Sequence, residues 1–252
     1  MNKKTRLSLA LTATIILVLA GGWYWYTEVR PGASSLMPTS DFPYEKTQDG
    51  SRTYVEDTAL YHLEATYPDS AGIEASAGKG NDHIAVESME LFVRQTLSDF
   101  ATQETLPGEY ARSLSLGYTQ HSAPKASSFV FTILFDTGGA HPITYFKTFV
   151  WGKGGGQVSL DDLLSGGYLA RLSTISGTQI RARLEAQSDG EGGAVFEEGF
   201  APDAKNFENF YLDGGDLVIL FDPYQVAAYA AGPQEVRIPL SQISDIVRPE
   251  FK

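Results

Sequence analysis

The sequence predicts an α+β protein: an antiparallel sheet with two principal helices packed on one face, built as two closely associated lobes and preceded by an N-terminal transmembrane helix. Three observations lead there. Segments near 61–67, 127–135 and 144–151 alternate apolar and polar residues or are rich in β-branched and aromatic side chains, which is strand patterning. Two longer segments, 82–100 and 168–186, carry apolar residues at helical spacing. Ahead of both, Leu7 to Tyr26 is a run of twenty residues without a charge, long enough as a helix to span about 30 Å of hydrocarbon.

The N-terminal run sets the topology. Lys3, Lys4 and Arg6 precede it, and Trp23, Tyr24, Trp25 and Tyr26 end it. Basic residues stay in the cytoplasm and amphipathic rings favour the interface, so the rest of the chain is expected outside. A cleaved signal peptide is the rival reading, with Val18-Leu19-Ala20 before Gly21 as the cleavage site. The chain has no cysteine, which excludes a lipoprotein anchor, cysteine nucleophiles and zinc–thiolate sites. Pro31 to Ser51 is rich in Pro, Gly, Ser and Thr and reads as a linker. The expected organisation is therefore 1–30 stub and anchor or signal peptide, 31–51 linker, 52–122 first lobe and 123–252 second lobe.

Within the first lobe, Tyr61, Leu63, Ala65 and Tyr67 alternate with His62, Glu64 and Thr66, a strand with one buried face ended by Pro68. Asn81 or Asp82 caps the first helix, whose stripe is Val86, Met89, Val93, Leu97 and Phe100. In the second lobe, Phe129, Phe131, Ile133 and Phe135 share one side of a strand that pairs with Thr144 to Trp151. Ser159 and Asp162 form a capping box for a short helix over 160–164. The second long helix turns Leu169, Leu172, Ile180 and Leu184 inward, although Gly177 weakens it. Asp213-Gly214-Gly215-Asp216 joins strands 209–212 and 217–221 as a hairpin. Gln234 to Ile238 is a last strand, and Ser241 opens a terminal helix.

Charge narrows the partners. Four of the 19 basic residues and one of the 31 acidic residues lie in residues 1–30. The remainder carries 15 basic and 30 acidic residues, a net charge of −15. Nucleic acid and anionic membrane surfaces would be repelled. A cationic partner would be attracted, although acidity also serves solubility alone.

Enzyme signatures are absent from the sequence: no HExxH, GxSxG, P-loop or GxGxxG after a strand occurs, and no cofactor is implied. Asp203, Glu208, Asp213 and Asp216 resemble a calcium loop only loosely, since their spacing fits no EF-hand. His141 stands out on a loop between two apolar strands, after Gly138-Gly139-Ala140 and before Pro142. It either fixes that loop through backbone carbonyls or serves a site. The segment Phe221 to Pro233 leaves a strand, turns at Pro223 and presents Tyr224 and Tyr229 among small residues. Tyrosine offers a large contact area at low entropy cost. The candidate contact set is thus His141, Gly139, Pro223, Tyr224 and Tyr229.

These stretches also carry a resemblance. Thr137-Gly138-Gly139-Ala140-His141-Pro142, Val158-Ser159-Leu160-Asp161-Asp162-Leu163-Leu164, Phe210-Tyr211-Leu212, Pro223-Tyr224-Gln225-Val226-Ala227, Ala230-Ala231-Gly232-Pro233 and Val236-Arg237-Ile238-Pro239-Leu240 occur in that order. The run resembles the bacterial extracytoplasmic domain shared by RsiV-type lysozyme receptors and some peptidoglycan deacetylases. It covers about 125–247, and 52–122 resembles the less distinctive companion region. The resemblance implies an α+β fold, a place at the cell envelope, and lysozyme or cell-wall glycan as partner. The chain departs from both member types. With six residues before the apolar run and Lys252 just after the shared region, neither anti-sigma signalling nor deacetylation is expected of it. The expectation is a membrane-anchored binding module recognising a lysozyme-like protein or peptidoglycan, the acidic surface favouring the basic protein. The alternatives are an envelope hydrolase using His141 with Asp136 or Asp222, and a structural envelope protein without a small-molecule site.

Overall fold

The computed structural model describes residues 45–46, 50–69, 82–102, 112–187 and 193–252. The expected anchor at 7–26, the signal-cleavage site and most of the linker lie outside the described residues. None of the described helices is long and apolar enough to cross a membrane.

Among the described residues, nine strands form two sheets. The larger has six strands in sequence order: β1 (Glu45–Lys46), β2 (Ser51–Asp57), β3 (Tyr61–Pro68), β4 (Arg112–Ser122), β5 (Ala126–Asp136) and β6 (Ile143–Gly152). The smaller has three: β7 (Phe210–Asp213), β8 (Asp216–Phe221) and β9 (Gln234–Pro239). All pairings are antiparallel except β3 with β4, which run parallel with Leu63 opposite Leu114. A parallel pair needs a long crossover. Helix α1 (Asp82–Ala101) lies within the connection between these two strands.

Side-chain alternation assigns each face. On β5, Phe131 and Phe135 meet Phe92 and Phe100 of α1 edge-on, at 5.4 and 5.2 Å between ring centres. Phe149 of β6 also meets Phe92, at 5.8 Å. The stripe Val86, Met89, Val93, Leu97 and Phe100 is buried as expected. Val130 and Phe146, at positions of the other parity on these strands, point to the opposite face. There they pack with Tyr211, Val218 and Leu220 of the small sheet.

The small sheet's other face, with Leu212, Leu217, Ile219, Phe221, Val236 and Ile238, is covered by α3 (Tyr168–Gln187) through Leu172, Ile180 and Leu184. Burial of each such side chain is worth roughly 1.5–3 kcal/mol, which makes these two interfaces the main source of stability. The order of layers is α1, large sheet, small sheet, α3. This corrects the expectation of one antiparallel sheet with both helices on one face. Two sheets are present, one pair of strands is parallel, and each long helix covers a different sheet. The physical reason is that each sheet has two apolar faces to bury, and the sheets supply one another with the second.

The small sheet also docks through backbone groups. Phe210 N–H donates to Thr148 Oγ1 at 3.1 Å, and Leu212 N–H donates to Ser128 Oγ at 3.0 Å. Ser128 Oγ in turn donates to the Leu212 carbonyl at 3.2 Å. Both hydroxyls are buried, and they satisfy amides on the outer edge of β7 that the sheet leaves unpaired.

β4 and β5 pair from Ser113–Asp136 to Ser122–Ser127. Three strands have no counterpart among the expected elements: β1, β2 and β4. On β4, Leu114, Leu116 and Tyr118 alternate with Ser113, Ser115 and Gly117, a period-two signal diluted by small polar residues. On β2 both faces are half exposed, so little hydrophobic contrast marks it. The terminal helix expected from Ser241 is instead two 3₁₀ turns, Leu240–Ile243 and Pro249–Phe251.

The local expectations around 159–187 hold. Helix α2 (Leu160–Leu163) begins with a full capping box, in which Asp162 N–H donates to Ser159 Oγ at 3.2 Å and Ser159 N–H donates to Asp162 Oδ2 at 2.9 Å. The Ser159 hydroxyl, which donates to Asp162 Oδ2 at 2.6 Å, and the Ser159 N–H hold the Asp162 carboxyl below the usual carboxylate range. Ser159→Ala is expected to lower stability by about 1 kcal/mol, read by urea denaturation. Gly177 in α3 has a packing role: a Cβ there would lie 2.8 Å from the Phe200 ring. The helix tolerates this glycine because a bulkier residue would push α3 off the turn at Glu197–Phe200.

Candidate functional site

His141, Tyr224 and Tyr229 come from segments more than eighty residues apart and meet in one aromatic cluster. The His141 ring stacks on Tyr229 with centres 3.6 Å apart and planes 13° from parallel. Tyr224 lies 5.5 Å from Tyr229 and 6.4 Å from His141, tilted by 32° to each. Hydrogen bonds tie the rings to the β5–β6 loop. Tyr229 Oη donates to the Pro142 carbonyl at 2.6 Å. His141 Nδ1 is 3.3 Å from that same carbonyl, which can only accept. Nδ1 therefore carries the proton, and Nε2 accepts from Tyr224 Oη at 3.3 Å. Both ring nitrogens are engaged.

Each member is held by its own backbone. Asp136 Oδ1 accepts from Gly138 N–H at 2.8 Å, closing an Asx turn that starts the loop. Gly138 has φ 75°, a conformation glycine adopts without steric cost. Gly139, singled out in the sequence reading, is exposed, and a Cβ there would meet only Thr137 Oγ1 at 3.7 Å. The conformational demand sits at Gly138.

On the other segment, Pro223 is buried and Tyr224 is 40% exposed. Tyr224 has φ 69°, and it is the single non-glycine residue with positive φ among the described residues. A tyrosine in that region costs on the order of 1–3 kcal/mol and persists only where its surroundings impose it.

Gln225 imposes it. Its Nε2 donates to the carbonyls of Gly199 at 3.0 Å and Asn206 at 3.1 Å, while its Oε1 accepts from Asp222 N–H at 3.1 Å. Asn206 Nδ2 in turn bonds the carbonyls of Glu198 and Ala201. Asp222 completes the clamp by accepting Phe146 N–H from the outer edge of β6 at 2.9 Å. Burial pushes the Asp222 carboxyl up to about 7, against the opposing effect of the Phe146 N–H. Burial, aided by the Asp222 charge, also raises the Tyr145 hydroxyl.

Neither carboxylate considered as a partner for His141 reaches it. Asp136 is spent on the Gly138 turn and Asp222 on β6. A histidine the sequence reading passed over has a carboxylate nearer: His121 Nδ1 is 3.6 Å from Asp213 Oδ1. The four acidic residues weighed as a cation loop are separately occupied or apart. Arg237 bonds Asp213 at 3.0 Å and Asp216 at 3.2 Å, and Asp203 pairs with Lys205 at 3.1 Å. Among the described residues no group of three or more His, Asp or Glu is arranged to hold a metal.

Comparison with known proteins agrees with this architecture. Solved structures of DUF3298 family proteins share the fold. One from Pseudomonas aeruginosa PAO1 has a TM-score of 0.53 at 18% identity, covering 84% of this chain and 96% of that one. One from Bacteroides fragilis has a TM-score of 0.51 at 20% identity, covering 79% and 93%. Immunogenic protein MPT64 of Mycobacterium tuberculosis is 24% identical over 167 residues, 64% of this chain and 72% of that protein. The peptidoglycan-N-acetylmuramic acid deacetylase PdaC of Bacillus subtilis is 31% identical over 134 residues, 52% of this chain. The chain spans just over a quarter of that relative's length, 28%. Residues 161–241, which include Tyr224 and Tyr229, match the family model described as "Protein of unknown function (DUF3298)".

Proposed function

We propose that the chain is an extracytoplasmic, non-catalytic binding module of the cell envelope, and that the His141–Tyr224–Tyr229 cluster contacts the glycan of peptidoglycan. The observation that carries this reading is Tyr224. A half-exposed tyrosine is held at φ 69° beside a stacked His–Tyr pair. Backbone strain of that kind is retained where it presents a side chain for use. Three ring faces with hydroxyl and imidazole edges suit a sugar, which has one apolar face and a polar rim. The likeness to a peptidoglycan deacetylase supports the glycan. The uncharged run at 7–26 behind Lys3, Lys4 and Arg6 supports the location.

The cluster is a poor catalytic centre. His141 has both nitrogens occupied and no carboxylate behind it, so it lacks the orientation of a general base. A lysozyme-like protein is the second reading, favoured by the net charge of −12 on the whole chain. Salt separates the two, because attraction between opposite charges is screened and stacking is not. The full chain in detergent micelles is expected to co-sediment with purified peptidoglycan equally at 50 and 500 mM salt. Tyr224→Ala is expected to weaken that binding about tenfold, as for a central aromatic anchor. Salt-sensitive capture of lysozyme without retention on peptidoglycan would favour the protein partner instead.

A further inference from the structure

The large sheet's face is only partly covered by the small sheet. Where the two diverge, a cleft of about 270 Å³ opens, near the lower end of small-molecule sites. Its apolar floor is Val130, Phe146 and Leu220. Thr119 and Thr132 face it from β4 and β5, and both are exposed. Gly117, opposite Thr132 in the sheet, adds no side chain, and the space above it is open.

The closed end of the cleft is built. The His121 ring lies 4.4 Å from that of the buried Tyr211. Its Nδ1 faces Asp213 at 3.6 Å and its Nε2 is 3.2 Å from Thr119 Oγ1. Tyr211 Oη donates to Glu235 Oε2 at 3.4 Å, a long bond that leaves the half-exposed carboxylate able to accept others.

Charge selects the class of ligand. Arg237 bridges Asp213, Asp216 and Glu235, so the acidic groups are partly neutralised and the nearest guanidinium is engaged. An anion finds no free guanidinium, and the carboxylates already share Arg237. What remains is a site with an apolar floor, hydroxyls and one accepting carboxylate, the complement of a neutral ring bearing hydroxyl groups. The cleft is also joined to the aromatic cluster twice. The turn Tyr229–Ala231 runs through Gly232 to Pro233 and Glu235 in the cleft wall. Phe146, in the floor, bonds Asp222, two residues before Tyr224.

We propose that this cleft is a second sugar subsite, taking one neutral pyranose-type ring at one end of a glycan longer than a disaccharide, whose other end lies on the aromatic cluster. The inference rests on the glycan reading above and extends it from a patch to a path. The probes are N-acetylglucosamine dimer and tetramer, titrated by ligand-observed NMR against the full chain in detergent micelles. The tetramer is expected to bind about tenfold more tightly than the dimer, because a second contact on one chain adds effective concentration. Thr132→Trp fills the cleft from an exposed position. It is expected to abolish the tetramer's advantage while leaving dimer affinity and the melting temperature unchanged. Glu235→Ala, a surface change, is expected to reduce tetramer affinity about threefold, the loss of one modest hydrogen bond.

Retention of the tetramer's advantage in both variants would overturn the subsite, and Tyr224→Ala would still test the aromatic cluster. Loss of the advantage in Thr132→Trp with no effect of Tyr224→Ala would remove the cluster and keep the cleft. Failure of the unmodified chain to bind either oligomer would overturn both.

Discussion

Gly199→Ala is expected to destabilise the protein by about 3 kcal/mol or more, the upper end of the cost of overpacking, because the obstacle is backbone. A Cβ at this position would lie 2.6 Å from the carbonyl carbon of Gln225, still closer to its oxygen, and 3.0 Å from Val226 Cγ1. A side-chain tip could rotate away; a peptide group cannot. The contact lies where the turn Glu197–Phe200 meets the turn carrying Tyr224. Gln225 Nε2 bonds the Gly199 carbonyl there, and Phe196 N–H donates to the Val226 carbonyl at 2.8 Å. Relief of the clash therefore pulls Gln225 away and releases the strain at Tyr224. Urea denaturation should show a lower midpoint, and peptidoglycan co-sedimentation should weaken in the same variant below its unfolding transition. Gly139→Ala, whose Cβ meets only Thr137 Oγ1 at an ordinary contact distance of 3.7 Å, should leave both within error.

The second large effect is a pH dependence centred on Asp222. Its folded carboxyl is pushed up to about 7 by burial, whereas an unfolded aspartate titrates near 3.9. The folded state therefore binds the proton more tightly. The contribution to stability is fully present below about pH 4, is lost as pH rises toward 7, and is gone above it. Each tenfold difference in proton affinity between the folded and unfolded chain is worth about 1.4 kcal/mol, so the loss is on the order of 3–4 kcal/mol.

Asp222→Asn keeps an oxygen to accept Phe146 N–H and removes the ionisation. It should match the unmodified protein near pH 4 and exceed its stability by on the order of 3 kcal/mol at pH 8. Asp162 and Asp203 are lowered by their hydrogen bonds and act in the opposite sense, losing stability as pH falls into the acid range. The difference between variant and parent cancels them. A flat difference between pH 4 and 8, by thermal melting, would show that folding does not raise the Asp222 carboxyl. Because Asp222 precedes the strained tyrosine, the same titration reports how firmly the aromatic cluster is held.

Much of this was legible in the chain. Both long helices follow from apolar spacing at 86, 89, 93, 97 and 100 and at 172, 180 and 184. The capping box at Ser159–Asp162 and the Gly214–Gly215 hairpin are local chemistry within four residues. His141, Tyr224 and Tyr229 could be nominated singly, because each stands out from its neighbours in residue type and loop position. Neighbours three or four residues apart interact through the backbone that joins them, and sequence spacing encodes that interaction directly.

Pairing over eighty residues is different. The stacking of His141 on Tyr229, the link from Asp222 to β6 and the cleft between Thr132 and Glu235 depend on which sheet faces which. The sequence determined by itself that this protein has sheet and two long helices, an uncharged N-terminal run and two unusual loops. Only the tertiary structure decided that the strands form two sheets rather than one, that each helix covers a different sheet, and that the two loops meet. A period-two pattern states that a strand buries a face; it does not state against what. That choice is made by the competition among apolar faces for one another, which is settled only when all of them are packed at once.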